Sequence, residues 1–308
     1  MNFLYLLNYF ILSIFLTLFG LEVGIALLFL LPFKKYYIIL QKYLAPIWEV
    51  EGTFAVFYVV NLIATYPLAV PVIGALYVFP ALIGGLFLIA RNAFLAYSEY
   101  ADWHKDVHLK IYSLATIIIA FILTAIVGSA ISGNGVNLKI FMPMFMTMFL
   151  NPFNLVLFAS IALLGIAAAS IIFSITELKY ASAIFIAIAI IGMLYVISIY
   201  MHYAIMNLLS APSILIAMII FLLVVISLHI ANNKISGILF AAWLVSAINL
   251  FGVIAYPYFF GGNINITDFL TNSASANAIL NITIIGGTVL TLSLLYLIYA
   301  SYIKKENK

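Results

Sequence analysis

Residues 4–31, LYLLNYFILSIFLTLFGLEVGIALLFLL, decide the fold class of this chain. The stretch is apolar apart from a few small polar residues and a single carboxyl, Glu22. An apolar run of more than about 18 residues is long enough to cross the hydrocarbon core of a membrane as a helix. Because no basic segment precedes it and no small-residue cleavage site follows, we expect a retained membrane span rather than a signal peptide.

The rest of the chain has the same character. Of its 308 residues, 67% are hydrophobic and 7% are charged, whereas a soluble domain is about half apolar and about a quarter charged. This composition excludes a soluble globular protein, a disordered chain and a coiled coil, and the continuous apolar runs exclude an outer-membrane barrel. We therefore predict an all-α, multi-pass protein of the cell membrane that has no nucleic-acid partner.

Proline, asparagine and glycine residues divide the chain into nine predicted spans, which we expect to form one membrane domain over residues 1–308. The predicted spans cover about residues 4–31, 45–66, 70–92, 109–132, 151–174, 181–203, 212–231, 236–256 and 277–302. Nine helices suffice for two four-helix bundles with one extra helix. The basic residues predict the orientation: with the N-terminus outside, eleven of the twelve fall in cytoplasmic segments and only Lys139 falls outside. The C-terminus would then be cytoplasmic.

An ionisable side chain inside a span indicates function, because burying it costs at least about 2.5 kcal/mol. Glu22 lies nine residues from Leu31, which is about 14 Å at about 1.5 Å per residue. Its neighbours three and four residues away are apolar, so we expect the carboxyl to be protonated unless a cation or water approaches. Two interpretations remain: the acid transfers protons, or it is a neutral packing group that hydrogen-bonds a facing helix.

Trp48, Glu49 and Glu51 lie about one turn into the second predicted span. Residues two apart on a helix point about 200° away from each other, so at most one of these carboxyls continues toward Glu22. Acids at staggered depths would form a proton-transfer ladder from the cytoplasm; alternatively, the two glutamates only complement the helix dipole. Arg91, at the cytoplasmic end of the third span, either reaches water or pairs with a buried acid.

The histidines and cysteines give little indication of a metal site. His104 and His108 have a spacing that can bind a metal on a helix, but a solvated loop is the simpler interpretation. His202 and His229 lie near span ends and are candidate axial haem ligands, although each could be an ordinary polar end-group. The chain has no cysteine. We predict neither a metal site nor a catalytic residue on this chain.

Several short motifs, in their order and spacing, resemble subunit II of the cytochrome bd-type quinol oxidases. They are Leu21-Glu22-Val23-Gly24, Ala45-Pro46-Ile47-Trp48-Glu49, Pro67 followed by Arg91, Leu150-Asn151-Pro152-Phe153, and Ala255-Tyr256-Pro257-Tyr258 followed by Asn281. Two places depart from the family pattern. The family often has histidine where this chain has Ile47, and Gly-Asn where it has Val50-Glu51.

The resemblance implies a heterodimeric respiratory quinol oxidase whose partner, subunit I, holds haems b and d and the quinol site and reduces dioxygen to water. This chain would be the non-haem subunit, with a similar fold and no cofactor of its own. The resemblance also implies proton entry at the acid after the tryptophan, which is Glu49 here, with Glu22 as the first-helix acid. It leaves room for a bound structural quinone or lipid and for small accessory subunits.

Two other functions remain open at this point. One is a stand-alone proton-coupled secondary transporter working through Glu22. Such transporters interrupt spans at the binding site, and Pro80 with Gly84-Gly85 in the third span would fit that pattern. The other is a haem-binding subunit that uses His202 or His229.

Overall fold

A computed structural model describes residues 3–32, 34–100, 104–201, 212–231 and 235–306 of the chain. Its α-helices are α1 (Phe3–Leu30), α2 (Tyr37–Thr65), α3 (Val70–Tyr100), α4 (Lys105–Ser132), α5 (Phe145–Leu150), α6 (Pro152–Ile172), α7 (Lys179–Tyr200), α8 (Pro212–Ile230), α9 (Ile235–Ala255) and α10 (Ser273–Glu306). Within the described residues nine helices, all except α5, are long and apolar enough to cross a membrane. The predicted all-α membrane fold is confirmed.

Local sequence sets several helix ends where they were predicted. The Asn151 side chain accepts a hydrogen bond from the backbone N–H of Asn154 at 2.9 Å. Pro152 follows in the first turn of α6, where its missing N–H costs nothing. At the end of α4, Gly133 adopts a φ of 75°, a left-handed conformation that glycine tolerates.

Two helices extend well beyond the predicted spans. α2 begins at Tyr37 rather than at residue 45 and contains Pro46, and α3 continues to Tyr100 rather than ending at residue 92. Hydropathy detects only the turns that are apolar enough for the hydrocarbon core, whereas the added turns carry the tyrosine and charged residues of the membrane interface. Proline is tolerated inside a membrane helix because neighbouring groups can satisfy the freed carbonyl.

Two regions predicted as loops contain short antiparallel hairpins. The strands are β1 (Val136–Asn137) with β2 (Met142–Pro143), and β3 (Tyr258–Phe259) with β4 (Ile264–Asn265). The second hairpin is fixed to the end of α4, because the N–H groups of Phe260 and Gly261 donate to the carbonyls of Ala130 and Ile131 at 2.7 and 2.9 Å. We call this side of the molecule the hairpin end.

The opposite side, which we call the basic end, holds the 3-10 turns Lys34–Tyr36 and Thr176–Leu178. There Lys35 forms an ion pair with Glu177, and the hydrogen bond to Glu177 raises the pKa of Lys35 above its usual value. This contact joins the turn between α1 and α2 to the turn between α6 and α7. The basic end is the one that the positive residues predict to be cytoplasmic.

The spanning helices form two four-helix bundles, as predicted. In the first bundle α1 packs against α2 and α4, and α3 packs against α4; in the second, α6 packs against α7 and α9, and α8 packs against α7 and α9. α1 joins the bundles because it also packs against α6 and α9. α10 lies outside both bundles, where it packs mainly on α2.

Glycines let α1 and α6 cross closely. A Cβ added to Gly24 would overlap the Gly165 carbonyl, and one added to Gly165 would overlap the Gly20 carbonyl. Small residues of this kind allow membrane helices to approach backbone to backbone. The crossing therefore fixes the position of α1, and with it the position of Glu22, two residues before Gly24.

Candidate functional site: a buried charge cluster

Three charged side chains meet inside the first bundle. From α3, Arg91 donates through Nε to Glu22 Oε1 at 2.9 Å and through Nη2 to Glu51 Oε2 at 2.7 Å. The same Nη2 also donates to Glu22 Oε2. The three side chains are at most 5% exposed. The cluster is therefore enclosed by the protein.

Tyr112 of α4 completes the cluster by donating its hydroxyl to Glu22 Oε1. Each of the four helices in the first bundle thus supplies one side chain. All four groups lie within the half of their helices that is nearer the basic end, or at the helix middle in the case of Glu51. We refer to Glu22, Glu51, Arg91 and Tyr112 as the charge cluster.

The geometry of the charge cluster favours an arginine at position 91 over any other cationic side chain. A planar guanidinium can meet both oxygens of one carboxylate in a fork, and Arg91 does so with Glu22. Its Nη2 is then shared with Glu51. A lysine would offer a single ammonium nitrogen in place of this fork.

The charges of the cluster do not balance if both acids are ionised. Two carboxylates and one guanidinium sum to one negative charge, and an uncompensated charge in a buried site is strongly unfavourable. Two carboxyls that converge on the same nitrogen also disfavour each other's ionisation. The arrangement is therefore suited to hold one proton.

Glu49 and Trp48 occupy different positions from the charge cluster. Glu49 is exposed on the surface of this chain, whereas Glu51 is buried, which agrees with their opposite directions on α2. Trp48 is half-buried, and its indole N–H donates to Asn92 Oδ1 at 3.0 Å. Because Asn92 follows Arg91, this bond ties α2 to the turn of α3 that holds the arginine.

Sequence reasoning found most of the charge cluster but not its connections. Of the two interpretations of Arg91, the structure shows pairing with a buried acid. Glu22 has no partner among its neighbours on α1, and the nearby cation that the sequence left open is Arg91 of α3. Tyr112 was missed: it is one of 20 tyrosines, and no pattern around it distinguishes it from the others.

Comparison with known proteins agrees with the motifs. A family model described as cytochrome bd terminal oxidase subunit II matches residues 2–303. The chain belongs to this family. A chain in the structure of bd oxidase from Geobacillus thermodenitrificans shares the fold, with a TM-score of 0.72 and 19% sequence identity over 96% of this chain and 98% of that chain. The comparison with curated proteins gives no match.

Membership of the bd oxidase subunit II family has several direct consequences. The chain is a multi-pass membrane protein, and the family forms part of a haem-containing quinol oxidase complex with a partner, subunit I. Among the described residues, no three histidine, aspartate or glutamate side chains are grouped to hold a metal ion. The resemblance seen in the sequence is thereby confirmed at the level of the family.

The histidines are placed as follows in this subunit II chain. His108 is buried and lies against the rings of Phe94 and Tyr97, with centroids 6.0 and 5.8 Å away. His104 is the residue that precedes α4. His229 is buried near the end of α8, and His202 lies outside the described residues.

Proposed function

We propose that the chain is the non-haem subunit of a bd-type quinol:oxygen oxidoreductase with two tasks. It packs against and stabilises the haem-bearing subunit I, and it provides a path for cytoplasmic protons to the oxygen-reducing site. The observation that carries the proposal is the enclosed charge cluster of Glu22, Arg91, Glu51 and Tyr112. Haems b and d and the quinol site would lie on the partner.

The cost of the charge cluster supports a functional role. Each ionisable group in a membrane span costs at least about 2.5 kcal/mol relative to an apolar residue, and apolar residues can replace buried ion pairs without loss of stability. Packing alone therefore gives no reason to place two acids and an arginine here. Transfer of protons does require groups that can take up and release a proton inside the membrane.

The surface of the chain supports a partner beside α2 and α10. Glu49 is an exposed carboxyl within the span of α2, and Asn277, Asn281 and Thr288 are exposed on α10. Contact with lipid would leave the Glu49 carboxyl and the two asparagine amides without hydrogen bonds, whereas the Thr288 hydroxyl donates to the Ile284 carbonyl within α10 at 2.7 Å. Membrane helices use such residues to pack on other helices. We therefore assign this face to subunit I, which places Glu49 at the subunit interface.

The proposed proton path begins at this interface. With the basic end in the cytoplasm, Glu49 takes up a proton at the boundary with subunit I, as the resemblance implies. The charge cluster lies on the inner side of the same helix and holds the proton before it reaches the oxygen-reducing site. Trp48 and its bond to Asn92 keep α2 in register with α3 next to Arg91.

The alternative is a stand-alone proton-coupled transporter, for which the sequence offered a possible interruption of the third span. Pro80 and the glycines Gly84 and Gly85 lie inside α3, which is one continuous helix from Val70 to Tyr100. A span interrupted at a binding site is therefore not present there. Proton or substrate flux by the purified chain in liposomes would support the transporter; we expect none above protein-free liposomes.

The proposed function is tested by purifying the chain from its native membranes. We expect a haem-bearing subunit to co-purify and the complex to show a bd-type reduced-minus-oxidised spectrum. Glu49→Gln should then lower quinol oxidase turnover while the haem spectrum stays unchanged. Isolation of the chain without any haem-bearing partner would refute the assignment, and unchanged turnover in Glu49→Gln would reduce that residue to a packing role.

A further inference from the structure

The two carboxyls of the charge cluster are bound unequally. Glu22 accepts hydrogen bonds on both oxygens, from Arg91 Nε, from Arg91 Nη2 and from the Tyr112 hydroxyl. Glu51 accepts its hydrogen bond from Arg91 at one oxygen, Oε2. Hydrogen bonds from donors stabilise the ionised form of a carboxyl. Glu22 is therefore the better-stabilised anion of the two.

The charge balance leads to the same assignment. The Arg91 fork neutralises the Glu22 carboxylate, and the pair together carries no net charge. Glu51 then meets a pair that carries no net charge, so its own ionisation would add an uncompensated charge to an enclosed site. The titratable groups around Glu51 are Glu22 and Arg91, and both are already committed to each other.

We propose that Glu51 is the carboxyl that exchanges the proton, and that Glu22, Arg91 and Tyr112 are positioning residues that stay in fixed charge states. This assignment rests on the proposed function. In each cycle the O–H bond of protonated Glu51 breaks as its proton leaves toward the oxygen-reducing site, and a proton from cytoplasmic water forms it again. No electron moves at the cluster.

The surface of α2 beside Glu51 is open on one side. At about 100° per residue, Gly52 lies on the helix between the directions of Glu51 and Glu49. A Cβ added to Gly52 would meet no other atom within 4 Å. In the proposed path, water passes around α2 through this open position, between the exposed acid and the buried one. Any larger side chain at this position would occupy that space.

The proposal is tested on the assembled oxidase by infrared difference spectroscopy between the reduced and oxidised states, in H2O and in D2O. We expect a carboxylic C=O band that shifts in D2O and disappears in Glu51→Gln. Turnover in Glu51→Gln should fall about 100-fold, at the lower end of what positioned proton transfer contributes. This variant should assemble, because it leaves the neutral Glu22–Arg91 pair intact.

Two further variants and a control separate exchange from packing. Tyr112→Phe should keep the carboxylic band but shift its frequency, since Glu22 loses one donor and Glu51 keeps its proton. Glu99→Gln makes the same chemical change at an exposed position on α3 and should change neither band nor turnover. If Glu51→Gln fails to assemble, Glu51→Asp should move the band, because the shortened carboxyl meets Arg91 differently.

The outcomes distinguish this assignment from the proposed function. A band that persists unchanged in Glu51→Gln or Glu51→Asp overturns the assignment. If Glu49→Gln or Glu22→Gln lowers turnover while Glu51→Gln does not, the proton path stands and the exchanging carboxyl is wrong. If no variant of the three acids lowers turnover, the proposed proton path itself fails.

Discussion

Replacing Arg91 with methionine tests whether the charge cluster is ionic. Methionine has a similar length and no charge, so the change removes three donated hydrogen bonds with little change in volume. Hydrogen bonds to charged groups are worth about 1.5–3 kcal/mol each, which gives about 5–9 kcal/mol before relaxation. Glu22 can take up a proton in the variant, so the expected net loss is about 3–5 kcal/mol, the range found on breaking a buried pair.

The size of the loss separates two descriptions of the cluster. If both carboxyls are instead protonated, Arg91 has no counter-ion to lose; each hydrogen bond in a membrane protein is worth about 0.6 kcal/mol, and the loss stays below about 2 kcal/mol. If the carboxyls that Arg91 binds are ionised, the loss of stability reaches about 3–5 kcal/mol. The free energy of unfolding should be measured for the complex in bilayers or micelles by steric trapping. The amount of assembled haem-containing complex, measured relative to total membrane protein, gives an independent readout.

Two control variants make the measurement specific to the pair. Arg91→Lys keeps the charge but loses the fork, so it should fall between wild type and Arg91→Met. Combining Arg91→Met with Glu22→Leu removes both partners and should recover most of the stability, because no charge is then left buried alone. A loss below about 2 kcal/mol in Arg91→Met, or no recovery in the double variant, would refute an ionic cluster.

Two glycine substitutions test the helix crossing and the open side of α2. Gly24→Ala should destabilise the subunit by about 1–3 kcal/mol, because the added methyl overlaps the Gly165 carbonyl. Gly20→Ala lies one turn away and has open space at its own Cβ, so it should change thermal stability little. Gly52→Leu should lower oxidase turnover several-fold with the haem spectrum unchanged. Gly74→Leu, at another open position, should leave turnover at the wild-type level. Equal effects of the two variants would contradict a route beside Gly52.

Much of the fold follows from the sequence because a membrane restricts what a chain can do. The helices were predicted from apolar runs and their breakers, since backbone groups in lipid must be satisfied within each span. The extended starts and ends, such as Tyr37 in α2 and Tyr100 in α3, were not predicted, because interfacial turns are not strongly apolar. The hairpins were also missed, since strands of two residues carry no periodic pattern.

The candidate site was predictable only in its list of residues. Charges are so rare in these spans that Glu22, Glu51 and Arg91 stand out by scarcity alone. Their mutual contacts depend on how α1, α2 and α3 are rotated in the bundle, and near-uniform apolarity leaves that rotation undefined in the sequence. Tyr112 could not be recognised because its role depends on a hydrogen bond from its hydroxyl, on α4, to Glu22 on α1.

The family resemblance and the geometry indicate different glutamates on α2. The resemblance selects Glu49, and the structure places that carboxyl on the exposed side of α2, where a partner would cover it. The geometry selects Glu51, which lies inside the bundle beside a pair that is already neutral. Because the two side chains diverge by about 200°, a proton that enters at the first must pass around the helix to reach the second. In the proposed path α2 is therefore the boundary between uptake at the subunit interface and storage in the enclosed cluster, and both acids are needed because neither can occupy both sides.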